Sequence, residues 1–321
     1  MIKSPVIDFH CDALSKMLRD SNLDFTKDER LDVNLTRMEE GGIRLQCFAI
    51  FLSQSLGKPK IEHILNQIDI FNQRVIGLGV TPVFTAEDFI ALEQSGGQGG
   101  ILSLEGADGL ESNLFYLQLC YEKGVRFLGL TWNYANWAAD GILEPRGGGL
   151  TPEGVSLVKA CHELGMILDV SHLSVKGFWE LAELAGQVGR PFIASHSNAY
   201  HICPNARNLR DDQIKEIIRL GGRIGINMYP PFVNEGENTS SRDILPHIDH
   251  ICSLGGEHTI MLGSDFDGLE IHLSDLRHAG QYAEFANLLL KHYSEELVRG
   301  WLYGNAASFL KAWLPPEEKA L

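Results

Sequence analysis

The chain has 321 residues, 44% of them hydrophobic, enough to bury a large core as one barrel domain or as two smaller units. Its 27 Lys and Arg stand against 42 Asp and Glu, a formal charge of −15, which argues against nucleic acid as a partner because that affinity is largely phosphate neutralisation by cations. No cationic start with an apolar stretch and cleavage site follows Met1, and no apolar run approaches membrane-spanning length, so a soluble cytoplasmic protein without membrane contact is expected.

Eight short runs rich in Val, Ile, Leu and Phe predict strands at 5–9, 43–51, 100–104, 125–131, 166–170, 191–195, 223–228 and 259–263. Their apolarity is continuous rather than alternating, as strands buried on both faces require. Amphipathic stretches between them predict helices at about 61–78, 111–123, 152–165, 174–186, 211–220 and 242–254, with another at 278–292. Ser294, followed by Glu295 and Glu296, starts a terminal helix through Trp301. This alternation predicts parallel pairing, and eight such units close a barrel, so the fold expected is an α/β, (β/α)8 TIM-type barrel.

Local signals mark the boundaries. Thr151 before Pro152 is an N-cap with proline at the first helical position, and Gly41-Gly42 and Gly221-Gly222 suit left-handed helix ends. The run Gly96-Gly97-Gln98-Gly99-Gly100 lacks phosphate-loop spacing and reads as a flexible turn. No repeat and no Pro- or Ser-rich linker divides the chain, so one catalytic domain over 1–321 is the simplest account. Long irregular stretches at 132–150, 229–241 and 266–277 follow strand ends; their Trp132, Trp137, Tyr229 and Phe232 either line a pocket over the rim or pack on neighbours.

The apolar runs stop at residues that can bind a metal: His10 and Asp12, Glu105, His172, His196 and Asp265. A parallel barrel sets all its strand ends on one rim, where residues distant in sequence can converge on one ion. Residues two apart on a strand share a side, so His10 and Asp12 can bind together, and His172 and His196 follow neighbouring strands about 4.8 Å apart. Glu105 has two oxygens with which to bridge two ions, and Asp265 reads as a proton shuttle facing a metal-bound water. Asp267 is either a turn residue or a support for the ligands. Cys11 sits between two candidate ligands, but strand alternation points it away from them; the six cysteines, without a C-x-x-C pair, read as reduced core thiols. His63, His162, His247, His250 and His292 fall in predicted helices and take structural roles, while His201 stays unassigned.

Six segments together resemble the renal (membrane) dipeptidase family of zinc peptidases: Asp8-Phe9-His10-Cys11-Asp12, Leu104-Glu105-Gly106, Gly149-Leu150-Thr151-Pro152-Glu153-Gly154, Leu168-Asp169-Val170-Ser171-His172-Leu173-Ser174, Ala194-Ser195-His196-Ser197-Asn198-Ala199 and Gly263-Ser264-Asp265-Phe266-Asp267-Gly268. The resemblance implies two zinc ions per chain, one on His10 and Asp12, the other on His172 and His196, with Glu105 bridging. It also implies Asp265 as acid/base, Arg207 as the grip on a dipeptide's free carboxylate, and a possible homodimer. The chain departs from the family at Trp132, where better-studied members carry a histidine thought to polarise the scissile carbonyl; either Asn133, Asn136 or a metal ion takes that role, or substrate range and rate differ from the family's.

The leading expectation is a zinc dipeptidase in which water bridged between two zinc ions attacks the peptide bond, with Trp132, Asn133, Tyr229 and Arg207 binding substrate. Its rivals keep the dimetal site for another small amide, lactone or ester, or make the chain a catalytically silent metal- or peptide-binding protein. His and carboxylate ligands also suit manganese, cobalt or iron.

Overall fold

A computed structural model describes residues 4–236 and 238–316. Eight parallel strands close a barrel: β1 (Val6–Cys11), β2 (Ile43–Phe51), β3 (Gly99–Glu105), β4 (Val125–Gly129), β5 (Ile167–Asp169), β6 (Ile193–Ala194), β7 (Arg223–Ile226) and β8 (Ile260–Leu262). β2 pairs with β3 in register from Leu45 beside Gly99 to Phe51 beside Glu105, while a two-residue strand, Thr81–Pro82, pairs only with the foot of β3. Each expected strand is present. β4 stops two residues early, at Gly129, so that Leu130 and Thr131 already belong to the rim.

Helices pack outside the barrel at the expected positions, including Ile61–Ile70, Leu114–Glu122, Pro152–Leu164, Val175–Val188, Asp211–Arg219, Leu245–Ser253 and Tyr282–Leu289. Thr151 caps its helix by accepting from the Gly154 amide at 2.9 Å, and Gly42 adopts the left-handed conformation at a helix end. Among the described residues five further helices lie outside the expected set: Ala13–Arg19, Leu35–Gly41, Ala86–Ser95, Pro230–Val233 and Asn305–Trp313. The third carries a legible start, since Thr85 and Asp88 form a reciprocal capping box. The expected flexible turn is short: Gly96 ends that helix, but Gly99 and Gly100 are already strand, where a Cβ would meet Leu92 at 2.3 Å and Phe71 at 2.9 Å. No helix among the described residues is long and apolar enough to cross a membrane.

The barrel interior is a separate apolar cluster, with Ile7, Phe9, Leu45, Cys47, Ile101, Phe127, Ile167, Ile193 and Met261 as its strand residues and the Ala86–Ser95 and Asn305–Trp313 helices closing its base. Above that layer the wall residues become small. A Cβ on Gly225 or on Gly263 would lie 1.7 Å from the Ser195 carbonyl oxygen, so both strands approach the segment that carries His196 as closely as backbone permits. Cys11 belongs instead to the outer layer with Ala13, Leu14 and Met17.

These contacts predict opposite outcomes for two glycines. Gly225→Ala should cost about 3 kcal/mol or more, the upper end of overpacking, because its obstacle is backbone. Gly186→Ala, on a helix where the new Cβ finds Arg219 at 3.8 Å and Leu220 at 3.9 Å, should stabilise by about 0.5–1 kcal/mol. Equilibrium denaturation of both variants measures the difference.

Candidate dimetal site

Three strand ends supply the centre of the site. Ile101, inside the barrel, sets the parity of β3, so Glu105 two pleats on also faces inward at the rim. β5 and β6 end at Asp169 and Ala194, and His172 and His196 follow in the loops beyond. His10 and Asp12 reach the same place differently from the alternation expected. The register of β1 slips between Asp8 and Cys11, and Asp12 has left the strand, with φ −102° and ψ 21°.

The donor atoms crowd together. Glu105 Oε1 lies 2.8 Å from His172 Nε2 and 3.9 Å from His196 Nε2, while its Oε2 lies 3.5 Å from His10 Nε2. His10 Nε2 is also 3.5 Å from Asp12 Oδ2 and 3.8 Å from Asp265 Oδ1, and the Nε2 atoms of His172 and His196 stand 2.8 Å apart. Two triads therefore form, His10/Asp12/Glu105 and Glu105/His172/His196, sharing the glutamate, with Asp265 in reach of His10 and His196. Cys11 is in none of them.

Whether these residues suit cations can be tested on their hydrogen bonds. His172 Nδ1 is 2.9 Å from Asn133 Oδ1, which can only accept, so Nδ1 carries the proton and Nε2 presents a lone pair. His196 Nδ1 is 2.7 Å from Ser195 Oγ, whose own proton goes to Asp169 Oδ2, so its Nε2 is bare as well. Asp169 is in turn fixed by Ser171 and by the Ser195 amide at 2.9 Å. Both ring nitrogens of His10 and Oδ1 of Asp12 are buried without a hydrogen-bond partner. Bare lone pairs facing each other and buried polar atoms left unpaired are costly unless a cation sits among them.

The titration behaviour of the metal-free chain agrees. Burial pushes His172 down to about 4 with help from the Arg207 cation, and burial pushes His196 well below the imidazole range, so both are neutral ligands at pH 7. His10 is also buried, but the Glu105 and Asp12 carboxylates outweigh this and raise it well above the usual value. Glu105, despite its burial, is held well below the carboxylate range by His10 and His172. Asp265 is pushed up to about 7 by burial and by the Asp12 and Glu105 charges, against His10 and Asn227, which suits a group that exchanges protons near neutrality.

A cavity of about 600 Å³ opens over these donors, bordered by Trp132, Asn133, Arg207, Tyr229 and Phe232 among others. Arg207 is only 4% exposed, a buried cation beside the donors. Its Nη2 lies 3.1 Å from His172 Nε2 and its guanidinium sits over the Phe232 ring, while Nε and Nη1 have no partner. Burial brings it down to about 10, still cationic at neutral pH. Trp132 lies against Phe51, ring centroids 5.3 Å apart, and 6.2 Å from the His172 ring. Tyr229 packs edge-on to Phe232 at 4.9 Å. Trp137 does not line the cavity: its indole N–H donates to the Ala107 carbonyl at 2.7 Å. Asn136 is committed too, to Asp108, the Leu130 carbonyl and the amides of Ala138 and Ala139.

Asp267 proves to be a tie. At φ +67° it accepts from the amides of Asp32 and Val33 and from Lys16 Nζ at 3.0 Å. Asp8 does similar work beneath the site, accepting from Ser264 and from the Tyr282 hydroxyl and so fixing the turn that carries Asp265. Asn227, absent from the expected set, donates to Asp265 Oδ2 at 3.0 Å. It follows the apolar end of β7, the same strand-end signal that marked the other residues.

A closed parallel barrel with His, Asp and Glu donors gathered at the carboxyl ends of its strands defines a metal-dependent hydrolase. More narrowly, the chain belongs to the membrane dipeptidase family, peptidase family M19, whose model matches residues 1–314. A protein of Acinetobacter calcoaceticus from the PQQ-III 3′ region is 30% identical over 282 residues, 77% of this chain and 89% of that protein. Among solved structures, dipeptidase AC, a family M19 metallopeptidase, superposes with a TM-score of 0.88 at 28% identity, covering 98% of this chain and 99% of that one. A metallopeptidase from Rhodobacter sphaeroides liganded with a phosphinate mimic of L-Ala-D-Ala gives a TM-score of 0.87 at 26% identity, covering 96% and 99%.

Because Asn133 fixes the His172 tautomer, Asn133→Leu should weaken metal retention about 10–100-fold, the usual effect of losing a ligand's hydrogen-bond partner. Titration of the loaded protein with a chelator series measures it; retention equal to the parent's would contradict the role given to Asn133.

Proposed function

We propose that this chain is a zinc dipeptidase, holding one cation on His10 and Asp12, a second on His172 and His196, and Glu105 between them. The observation that carries this reading is Arg207, a buried guanidinium with two unpaired N–H groups beside His172. Two divalent cations there would supply an acidified water as nucleophile and a Lewis acid for the peptide carbonyl.

The chain's own groups do the rest. Arg207 binds the C-terminal carboxylate, preferably through two parallel hydrogen bonds. A carboxylate seated on Arg207 lies beside His172, so the bond presented to the donors around Glu105 is the one nearest the C-terminus. The cavity of about 600 Å³ limits what can extend on the amino side. Asp265 takes a proton from the water and returns it to the leaving amine, held in position by Asn227. Trp132 offers only an indole N–H and cannot titrate. Of the two asparagines considered for the carbonyl oxygen, only Asn133 borders the cavity, so polarisation falls to Asn133 or to a cation. The free cysteines suit a reducing compartment, and the cytoplasm is the location we propose.

Zinc-loaded protein should therefore hydrolyse simple dipeptides, and His172→Ala should abolish this. Arg207→Ala should raise KM for dipeptides about 10–100-fold, since hydrogen bonds to a charged group are worth about 1.5–3 kcal/mol. It should leave hydrolysis of an uncharged ester or lactone nearly unchanged. Steady-state kinetics on both substrate types decides; equal losses on both would reject carboxylate recognition, and dipeptide turnover surviving His172→Ala would reject the dimetal assignment.

A further inference from the structure

We infer that a second, separate cation site lies on the outer surface, formed by His201, Asp211 and His250, and that it takes a borderline divalent ion such as zinc, nickel or cobalt. One donor atom from each of the three lies within 4.8 Å of the others, and none of the three lines the cavity over Glu105. The three come from different elements: His201 from the loop after β6, Asp211 from the first turn of the Asp211–Arg219 helix, and His250 from the Leu245–Ser253 helix. His250 Nε2 is already 2.8 Å from Asp211 Oδ1, so two of the donors are in place. The His201 and His250 rings are parallel, 1° apart in tilt, with centroids 4.5 Å apart.

Imidazole lone pairs lie in the ring plane, so stacked rings cannot both aim at one ion as they stand. His201 is exposed and can turn about χ2 to bring a nitrogen beside the other two donors. Two imidazoles and a carboxylate leave one position of a tetrahedral ion to water, and this donor set favours zinc, nickel or cobalt over magnesium or calcium. The neighbouring positive charges are modest: Lys215 lies near Asp211, and the Arg210 guanidinium is turned onto the Tyr200 ring at 5.4 Å.

The placement gives such an ion a mechanical effect. The loop from His196 to Asp211 carries Arg207, and among its ties to the Leu245–Ser253 helix is the Ala199 amide donating to His247 Nδ1 at 3.1 Å. An ion on His201, Asp211 and His250 would clamp both ends of the Arg207 segment to that helix, stabilising the fold by an amount that grows with the logarithm of free ion above its dissociation constant.

The test is equilibrium dialysis of the metal-loaded protein against buffered free zinc up to about 100-fold above the dissociation constant, with zinc per chain counted by elemental analysis and melting followed in parallel. The parent should bind one equivalent more than either His201→Ala or His250→Ala and melt several degrees higher with zinc than those variants do. Their remaining metal content should match the parent's at low free zinc, which separates this site from the one around Glu105. An extra equivalent that persists in both variants, or a parent that takes up none, would overturn the proposal.

Discussion

The whole structure answers to one electrostatic problem: a buried glutamate surrounded by three imidazoles and two further carboxylates with too few protons to satisfy them. Glu105 stands within 4 Å of His10, His172 and His196, and two of those rings turn bare nitrogens toward each other 2.8 Å apart. Such an arrangement would spread apart if the surrounding chain allowed it. It persists because two of the imidazoles are held from behind, His172 by Asn133 and His196 by the Ser195–Asp169 pair. A constellation fixed against its own repulsion is preorganised for cations, and the energy stored in that repulsion is returned when they bind.

The barrel explains how so many polar groups can be held rigidly. Its lower interior is filled by Phe9, Phe127, Leu45 and their apolar neighbours, which anchors the strands. Higher up, Gly225 and Gly263 let two strands close on the Ser195 backbone, so the segment leading into His196 is gripped by main chain on both sides. Beside them Asp8 joins β1 to the turn after β8 through Ser264, and Asp267 ties that same turn to Asp32, Val33 and Lys16. Asp265, at φ +69° between these two anchored residues, has little freedom, which suits the proton-carrying role proposed for it.

Much of this was legible in the sequence because strands buried on both faces leave a strong imprint. All eight apolar runs correspond to strands, and five of them lead into the polar residues gathered at the rim, His10 and Asp12, Glu105, His172, His196 and Asp265. Asn227 falls inside the strand expected at 223–228, but the structure ends that strand at Ile226, so Asn227 stands at the rim and reaches Asp265. Other features had no local signature. The slip in β1 that brings His10 and Asp12 together is a tertiary adjustment, and the short helix Ala13–Arg19 begins directly at Asp12 without a side-chain cap. Arg207 lies in an irregular loop, where only a resemblance could single it out; its burial depends on Phe232 and His172 from other elements. Trp137 and Asn136, read as pocket residues or donors, are instead consumed by hydrogen bonds within their own long loop and its neighbour.

The central claim is that His10, Asp12, Glu105, His172 and His196 hold a pair of cations with Glu105 shared. Anomalous diffraction from crystals of the protein grown with zinc, recorded on both sides of the zinc absorption edge, tests it most directly. Two anomalous peaks should appear a few ångström apart, roughly 3.5–4 Å in two-metal hydrolases, with a Glu105 oxygen on each. A single peak, or two peaks with Glu105 bound to neither or only one, would contradict the account.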